Sequence, residues 1–486
     1  MWAPLSLFAA LALASVVSAG SFHTFQKRDL PGAKASEVVE HHYIIQYEDH
    51  IRHSDTYALL QKRNIEYDVH HEYNVFNGLA LRLRSDHDGH VLATIPGIKH
   101  VWPATVTHLP EVQKRSFHPL ANPTSGVASL LRKRGIVSPS EDVSLHSMTG
   151  VDILQGKYKL SGKGIKVGVI DSGLDYRHPV FAMPGAKQGC LGPGCRITHG
   201  YDFVGKNYNG TRESVSPDSD PMDCLGHGTH VAGVIGGNGM DPSLNPKPPR
   251  PFIGVAPDVT FGAYKIGGCD TPIDLMAALA AMEQAATDGM DIINMSFGLT
   301  PSFSTNPFGE MADRLAKRGV ISVGSAGNSG EDGVMMVEDN GLGLESTSVG
   351  SFNNKVVYIN TLVYGDSTDL PYVPAMSWDQ PFQFEQPVTL VPLLDNDVLA
   401  DGCKQELYEK LPEMSNKILL TVFEYTGPCS PSQRAEYAKA KGAVGVLTVG
   451  PFDELIETYN ATPGFPMAML PRYASDVLLQ TYKKSP

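Results

Sequence analysis

The sequence is short of positive charge and of long apolar runs. Its 486 residues contain 39 Lys and Arg against 52 Asp and Glu, for a formal net charge of -13. The lysines are dispersed, so the acidic balance argues against nucleic acid or an anionic membrane surface as a partner. No stretch after the first 19 residues reaches the roughly 18 uninterrupted apolar residues that a membrane-spanning helix needs. We therefore predict no membrane partner.

Cysteine is also scarce, with 6 residues and no Cys-x-x-Cys arrangement. An even number of cysteines outside a metal-binding or redox pattern is typical of disulfides formed in an oxidising compartment. Cys403 and Cys429 lie in the same carboxyl-terminal segment and are candidates for a pair. The remaining four allow three pairings, which the sequence leaves open: Cys190, Cys195, Cys224 and Cys269.

The first 19 residues are predicted to be a signal peptide. They contain the apolar run LSLFAALALASVV and end in the small residues Val17-Ser18-Ala19, which suit signal peptidase. An apolar fraction of 42% against 19% charged residues predicts a globular chain, and the length predicts several domains. We expect a secreted, soluble protein. Asn209 and Asn460 begin Asn-x-Ser/Thr signals in polar segments and are candidate glycosylation sites.

Three polar residues stand where apolar segments meet glycine-rich turns. Asp171 follows the strand-like run KVGVI, His227 lies within CLGHGTHVAG at the start of an apolar helix, and Asn328 lies within SAGNSG. A buried aspartate can orient a histidine so that its other ring nitrogen accepts a proton from a nucleophile. An asparagine amide can stabilise the oxyanion of a tetrahedral intermediate. Together they predict part of a hydrolytic site.

Strand-like and helix-like segments alternate from residue 146 to residue 366. The helix DLMAALAAMEQAATDG has a suitable N-cap in Asp274, and Gly289 and Gly319 are placed to end their helices. Such alternation predicts an α/β domain with a parallel sheet covered by helices on both faces. In such sheets functional residues gather at the carboxyl ends of the strands, where Asp171 and Asn328 fall.

The motifs VIDSG, GHGTHVAG and SAGNSG, in this order, resemble the subtilisin-like serine proteases, or subtilases. INMSFG, spanning 293–298, and GVAPDVTFGAYKI, spanning 254–266, are similar to that family's substrate-binding strand and central strand. The resemblance implies a serine endopeptidase acting on polypeptides by an Asp/His/Ser triad. Asp171 and His227 would belong to this triad, and Asn328 would be the oxyanion donor. Ser296, Phe297 and Gly298 would offer a strand edge to an extended substrate.

Residues 40–110 read as a small α+β unit that resembles the subtilase inhibitor propeptide. The resemblance implies that this segment is an intramolecular inhibitor, so that the protein is a zymogen. Residues 111–145 form a linker with dibasic pairs at Lys114-Arg115 and Lys133-Arg134. Of the 17 histidines, 13 lie between His23 and His146. Our hypothesis is that acidification charges some of them and weakens docking of the segment.

The nucleophile of the triad is missing from the sequence. Subtilases carry it in a Gly-Thr-Ser motif, which does not occur here, and Ser147 and Ser348 lack both that motif and an apolar helix after it. Residues 367–486 resemble the protease-associated domain that many large subtilases insert before this serine. We therefore expect the serine to lie beyond Pro486 and the chain as given to be inactive. The alternative is a non-catalytic peptide-binding or regulatory protein of subtilase descent.

No cofactor is predicted. His227 and His230 stand three residues apart on one helix, but no third metal ligand is evident. Calcium binding is left open, with the loop carboxylates Asp218, Asp220 and Asp223 expected to be solvated.

Overall fold

A computed structural model describes most of the chain. The described residues are 21–22, 37–84, 89–107, 146–183, 185–242, 244, 252–269, 272–299, 305–330, 336–352, 360–364, 368–375, 382, 384, 386–423, 429–451, 462 and 465–484. The predicted signal peptide, both dibasic pairs and Asn460 lie outside them. The chain forms two compact units, Met1–Val112 with Thr149–Asn353, and Gln113–Met148 with Asn354–Pro486. The prediction placed the boundary after residue 366.

The amino-terminal part of the first unit is a small sheet with two helices. Its strands are β1 (Ser21–Phe22), β2 (Glu37–Tyr47), β3 (Tyr67–Tyr73), β4 (Gly78–Leu83) and β5 (Ile98–Thr107), and its helices are α1 (His53–Lys62) and α2 (His90–Ala93). The strand order is β1-β5-β2-β4-β3, and all pairs except β1 with β5 are antiparallel. The segment from β2 to β5 is thus a split β-α-β arrangement, an α+β unit as predicted.

The rest of the first unit is built on a seven-stranded parallel sheet in the order β13-β12-β11-β6-β9-β8-β7. Its strands are β6 (Lys166–Asp171), β7 (Lys187–Leu191), β8 (Cys195–Asp202), β9 (Thr260–Lys265), β11 (Ile292–Met295), β12 (Ile321–Ser325) and β13 (Thr347–Val349). Other elements are α3 (Val151–Gly156), α4 (His227–Gly236), the short strand β10 (Ile273–Asp274), α5 (Leu275–Thr287) and α6 (Pro307–Ala316). Short 3-10 turns lie at Pro179–Phe181, Arg212–Ser214 and Asp339–Gly341.

Helices cover both faces of this sheet, as predicted. Val169 packs in one apolar cluster with Ala232 of α4, whereas its neighbour Ile170 packs in another with Leu279 of α5. Successive residues of a strand point to opposite faces, so the two clusters lie on opposite sides of the sheet.

The predicted helix boundaries hold in part. Asp274 caps α5 by accepting hydrogen bonds from the Met276 and Ala277 amides, and Gly289 follows that helix with φ 73°. α6 begins at Pro307, where the Asn306 side chain caps it by accepting a hydrogen bond from Gly309 N. Strands β7, β8 and β13 were not predicted. β7 and β13 are edge strands whose residues are mostly exposed, so they lack the apolar run that marks a buried strand.

The second unit is a separate α/β layer. Its main sheet has the order β14-β15-β21-β20-β19-β16, with β16, β19, β20 and β21 parallel. Its strands are β14 (Asn360–Tyr364), β15 (Thr368–Pro374), β16 (Thr389–Pro392), β17 (Leu394–Asp395), β18 (Val398–Leu399), β19 (Lys417–Val422), β20 (Gly445–Val449) and β21 (Met467–Leu470). Its helices are α7 (Gln405–Glu409), α8 (Pro431–Ala440) and α9 (Ala474–Lys484). The candidate pair Cys403 and Cys429 is joined by a disulfide.

Within the first unit, the small amino-terminal sheet packs on helices α5 and α6. Tyr73, Phe76 and Trp102 are fully buried in the same apolar cluster as these helices. Strand β5 also pairs with β10, where Thr107 lies opposite Ile273. The sheet is therefore attached by main-chain hydrogen bonds as well as by apolar packing.

Polar contacts surround this apolar interface. The Glu283 carboxylate of α5 accepts hydrogen bonds from the amides of Asn74 and Val75, at 2.7 and 2.6 Å. On α6, the Glu310 carboxylate accepts a hydrogen bond from Lys99 Nζ at 3.2 Å. These carboxylates hold two separate parts of the small sheet against the two helices.

Among the described residues, no helix is both long enough and apolar enough to cross a membrane.

Candidate active site

The candidate site lies at the carboxyl edge of the parallel sheet. In the register of the three central strands, Ile170 of β6 lies beside Met295 of β11, which lies beside Gly324 of β12. Asp171, Ser296 and Ser325 are the next residue of each chain segment, so they emerge at one edge. The main chain alone thus brings together Asp171 and Ser325, the last residues of β6 and β12, and Ser296, which follows β11.

Asp171 and His227 form a hydrogen-bonded pair at this edge. The two groups are buried, and His227 Nδ1 lies 2.7 Å from Asp171 Oδ1. Asp171 Oδ1 also accepts a hydrogen bond from its neighbour Ser172 N at 2.7 Å. When Nδ1 carries the proton in this pair, Nε2 of His227 is left as the acceptor. The geometry is that of an oriented base.

The charge around His227 favours its protonated form. Burial by itself lowers the pKa of His227, but the hydrogen bond and charge of Asp171 raise it, with smaller contributions from Asp223 and Glu338. The balance leaves the pKa of His227 above its ordinary value. An imidazolium formed by proton uptake would therefore be stabilised in place.

Glycines allow the first turn of α4 to approach Asp171 and the residues that follow it. Gly226 precedes His227 with φ 99°, a conformation that side chains disfavour. A Cβ placed on Gly228 would lie only 2.0 Å from Gly173 O and 3.0 Å from Asp171 Cβ. The motif glycines are thus needed for the close approach that puts His227 beside Asp171.

Asp223 was expected to be solvated, and the structure corrects this. Its Oδ1 accepts hydrogen bonds from Ser172 Oγ at 3.0 Å, Leu225 N at 3.0 Å and Gly226 N at 2.8 Å. Its Oδ2 accepts from Thr229 N at 2.9 Å and from Thr229 Oγ1 at 2.6 Å. The side chain ties the turn after Asp171 to the start of the His227 helix. Sequence reasoning missed this role, because Asp223 looks like an ordinary loop carboxylate.

Asn328 lies in an exposed turn after β12, where Gly327 has φ 93°. The structure brings it to the same edge of the sheet as the pair, but among the described residues no hydrogen bond joins its side chain to Asp171 or His227. Its amide is accordingly available to a group outside this pair.

The segment Ser296–Gly298 continues β11 past its last sheet residue. Phe297 is buried against Phe308, and the Asn340 side-chain amide donates to the carbonyls of Met295 and Phe297. Within the described part of the chain, the main-chain groups of Gly298 have no hydrogen-bond partner. One side of this short segment is therefore open to main-chain pairing.

A family model described as the Subtilase family, Peptidase_S8, matches residues 162–444, more than half of the 486 residues. The chain belongs to the subtilase family. The matched region contains the hydrogen-bonded pair, Asn328 and the Ser296–Gly298 edge.

Curated relatives of this subtilase include large proteases. "Minor extracellular protease Vpr" of Bacillus subtilis (strain 168) is 31% identical over 291 residues, covering 58% of this chain and 30% of that protein. "PIII-type proteinase" of Lactococcus lactis subsp. cremoris (strain SK11) is 28% identical over 343 residues, covering 63% of this chain and 17% of that protein. The chain thus spans less than a third of the length of these relatives. Among solved structures, fervidolysin from Fervidobacterium pennivorans aligns with a TM-score of 0.38 and 19% identity, covering 64% of this chain and 42% of that chain.

Two disulfides in the subtilase unit resolve the pairing that the sequence left open. Cys224 pairs with Cys269, and Cys190 pairs with Cys195. The first bond joins the loop before His227 to the chain that follows β9. It therefore restrains the loop that carries the candidate base.

The loop carboxylates Asp218 and Asp220 accept hydrogen bonds from neighbouring groups. Asp220 accepts hydrogen bonds from Tyr176 Oη at 3.0 Å and Met222 N at 3.2 Å, and Asp218 accepts one from Asp220 N at 2.8 Å. In the described part of the molecule, no three His, Cys, Asp or Glu side chains are grouped as ligands for a metal ion.

Glu338 is a further residue at the edge that sequence reasoning missed. Its carboxylate accepts a hydrogen bond from Ser325 Oγ at the end of β12, and its charge acts on His227. No motif in the sequence marked it, because it follows a segment without recognisable pattern.

Proposed function

We propose that this subtilase is part of a secreted serine endopeptidase zymogen that hydrolyses polypeptides by an Asp/His/Ser triad. The observation that carries the proposal is the 2.7 Å hydrogen bond between buried Asp171 and His227 at the carboxyl edge of the sheet. Asp171 holds the imidazole in one tautomer and stabilises its charged form. His227 then accepts a proton from the nucleophile and returns it to the leaving amine.

The remaining polar groups suit the substrate. The main chain of the Ser296–Gly298 segment can pair with an extended peptide as an added strand. Such a peptide runs along the edge from which Asp171 and the Asn328 turn emerge. The Asn328 amide is then available to the oxygen that becomes negative during acyl transfer.

We propose that the nucleophile for this pair is a serine that is not among the 486 residues. Gly-Thr-Ser does not occur in the sequence, and both Ser147 and Ser348 are exposed in segments without a described contact to His227. A base and an oxyanion donor have nothing to activate without a nucleophile. We therefore propose that the chain as given is inactive.

A fluorophosphonate probe tests this proposal. The 486-residue chain is expected to remain unlabelled, while a form that carries a downstream Gly-Thr-Ser segment is expected to be labelled. His227→Ala in that longer form removes the labelling. Covalent labelling of the 486-residue chain contradicts its inactivity, and labelling of the longer form that survives His227→Ala contradicts the role of His227.

Residues 40–110 are proposed to be the inhibitor that keeps the protein a zymogen. Support comes from the buried interface on α5 and α6, and from the pairing of β5 with β10 at Thr107. The linker of residues 111–145, with its dibasic pairs, then offers the place for cleavage. Proteolysis of the longer form in this linker should increase peptidase activity, and adding the isolated segment should reduce it again.

Residues 367–486 are proposed to be a protease-associated domain. The protein is also proposed to be secreted and to carry N-linked glycans. Asn209 is exposed, and its side-chain oxygen accepts a hydrogen bond from Thr211 Oγ1 at 2.9 Å. Protein secreted by a eukaryotic host should lose mass when an N-glycosidase removes its N-linked glycans. Asn209→Gln and Asn460→Gln should each remove part of that mass, and unchanged masses in both variants contradict these assignments.

The absence of Gly-Thr-Ser favours one alternative, a non-catalytic protein that binds peptides or partners. The transcript decides between the two. A reading frame that continues into Gly-Thr-Ser and an apolar helix supports the enzyme, and a stop codon directly after residue 486 supports the binding protein.

A further inference from the structure

The Glu338 side chain lies between the two segments proposed to hold the substrate. A Cβ placed on Gly298 would lie 2.6 Å from Glu338 Cβ, and one placed on Gly327 would lie 2.8 Å from Glu338 Cγ. The side chain therefore passes between the Ser296–Gly298 edge and the turn that carries Asn328. It can do so only because both facing residues are glycines. Its carboxylate accepts a hydrogen bond from the hydroxyl of Ser325, the last residue of β12.

The carboxylate has no cationic side chain as a partner in the described part of the chain. It is half-buried, and its one described hydrogen bond is from the Ser325 hydroxyl. Burial raises the pKa of Glu338, while Ser325 and His227 act in the opposite direction. A carboxylate in a partly dehydrated cleft is stabilised by a cation that can donate hydrogen bonds to it.

The position of Glu338 relates this charge to the cleaved bond. A peptide paired with the Ser296–Gly298 segment directs alternate side chains towards and away from the Glu338 side chain. The reacting carbonyl must lie within reach of His227, whose charge Glu338 already senses. A substrate side chain that approaches the Glu338 carboxylate therefore belongs to a residue close to the scissile bond.

We infer that Glu338 makes this subtilase select a Lys or Arg side chain next to the bond it cleaves. The inference rests on the proposed function and adds a substrate class to it. The chain itself contains matching sequences, Lys114-Arg115 and Lys133-Arg134, in the linker after the proposed inhibitor. Its own linker is thus a substrate of the selected class.

Matched peptides test the inference on the nucleophile-bearing form of the protein. Peptides that differ only by Arg or citrulline at each position flanking the bond isolate the charge, because citrulline keeps the shape of arginine. At one position kcat/KM should favour Arg by roughly ten- to a hundredfold, the range of a charge-assisted hydrogen bond. Glu338→Gln should bring this ratio close to one. Glu345→Gln, which neutralises an exposed carboxylate in the same segment, should leave the ratio unchanged.

The outcomes separate the two proposals. Failure to hydrolyse any peptide refutes the endopeptidase function. Hydrolysis by the unsubstituted protein with an Arg to citrulline ratio near one at every position refutes the selection alone, without reliance on a variant that has to fold. A ratio that favours Arg but survives Glu338→Gln shows that another group reads the charge and also overturns the inference.

Discussion

Acidification is expected to weaken the packing of the small amino-terminal sheet on the rest of the first unit. We call that remainder, residues 149–353, the subtilase body. Three histidines of the small sheet, His42, His70 and His71, lie near Arg212 of the body. His42 is buried and stacks on His70 with ring centroids 4.9 Å apart, and the Nε2 atoms of both rings are buried without a partner among the described residues. Burial first, and then the charge of Arg212, lower the pKa of His70 and of His71 to about 4.

Other charges near this cluster leave the direction unchanged. Arg212 is paired with buried Asp274 at 2.5 Å, and Arg82 of the small sheet lies 3.8 Å from Glu213 of the body. Asp68 has a small raising effect on the pKa of His70, and Glu72 has one on that of His71, but burial remains the largest cause for both. The docked state therefore favours the neutral histidines.

The sign and size of the effect follow from linkage. Because the pKa of these histidines is depressed in the docked state, docking is fully stable above their free value of about 6.5 and weakens as the pH falls from there towards about 4. Between about pH 7 and pH 5 each fully coupled histidine would cost about 2 kcal/mol. Both rings are partly exposed and screened, so we expect about 2 kcal/mol for His70 and His71 together.

Trp102 provides the assay, because it is buried at the interface and donates a hydrogen bond to Thr305 O at 3.3 Å. Urea titrations of the whole chain, followed by Trp102 fluorescence in a Trp2→Phe/Trp378→Phe background, should show a lower midpoint at about pH 5 than at about pH 7. The double variant His70→Gln/His71→Gln should lose most of this difference.

His90→Gln, which changes an exposed histidine of the same sheet, is the control and should retain the full difference. Equal midpoints at both pH values refute the reasoning. So does a pH dependence that is unchanged in the double variant.

Substitutions at three positions, Asp171, Asp223 and Gly228, test the candidate site. In the nucleophile-bearing form, Asp171→Asn should lower kcat by roughly four orders of magnitude and lower the pKa of His227, seen as a shift of the pH–rate profile to lower pH; an unshifted profile counts against the pair. Asp223→Ala strands the donors that it now satisfies and should cost about 3 kcal/mol in urea unfolding, with a smaller loss for Asp223→Asn. Gly228→Ala should destabilise the protein, since its Cβ would lie 2.0 Å from a carbonyl oxygen, whereas Gly233→Ala in the same helix has nothing within 4 Å and should stabilise by about 0.5–1 kcal/mol. Equal effects of the two alanines would contradict the close-approach argument.

The juxtaposition of Asp171 and His227 could be predicted because each residue has a local signal. An apolar β-branched run before Asp171 predicts a buried strand, and glycines around His227 predict a tight helix start. The order of neighbouring motifs then places both at the carboxyl edge of one sheet. The edge strands β7 and β13 gave no such signal, because exposed strands need no apolar run.

Asp223 and Glu338 show where local signals end. Asp223 looks like an ordinary loop carboxylate, and its role arises from donors on two sides, Ser172 after β6 and Thr229 in α4. Glu338 acquires its place from gaps at two glycines that are distant in sequence. Neither set of partners can be read from the residues adjacent to the carboxylate.

By itself the sequence marked Cys403 and Cys429 as a candidate pair and determined the parallel α/β architecture and the identity of the candidate base and its orienting carboxylate. These depend on periodicity, caps and glycine turns, which act over a few residues. The tertiary structure alone decided which of the other cysteines pair, which acidic side chains lose contact with water, and which histidines come to lie beside Arg212. The physical reason is that desolvation and charge depend on distance in space, and neighbours in space are often remote in the chain.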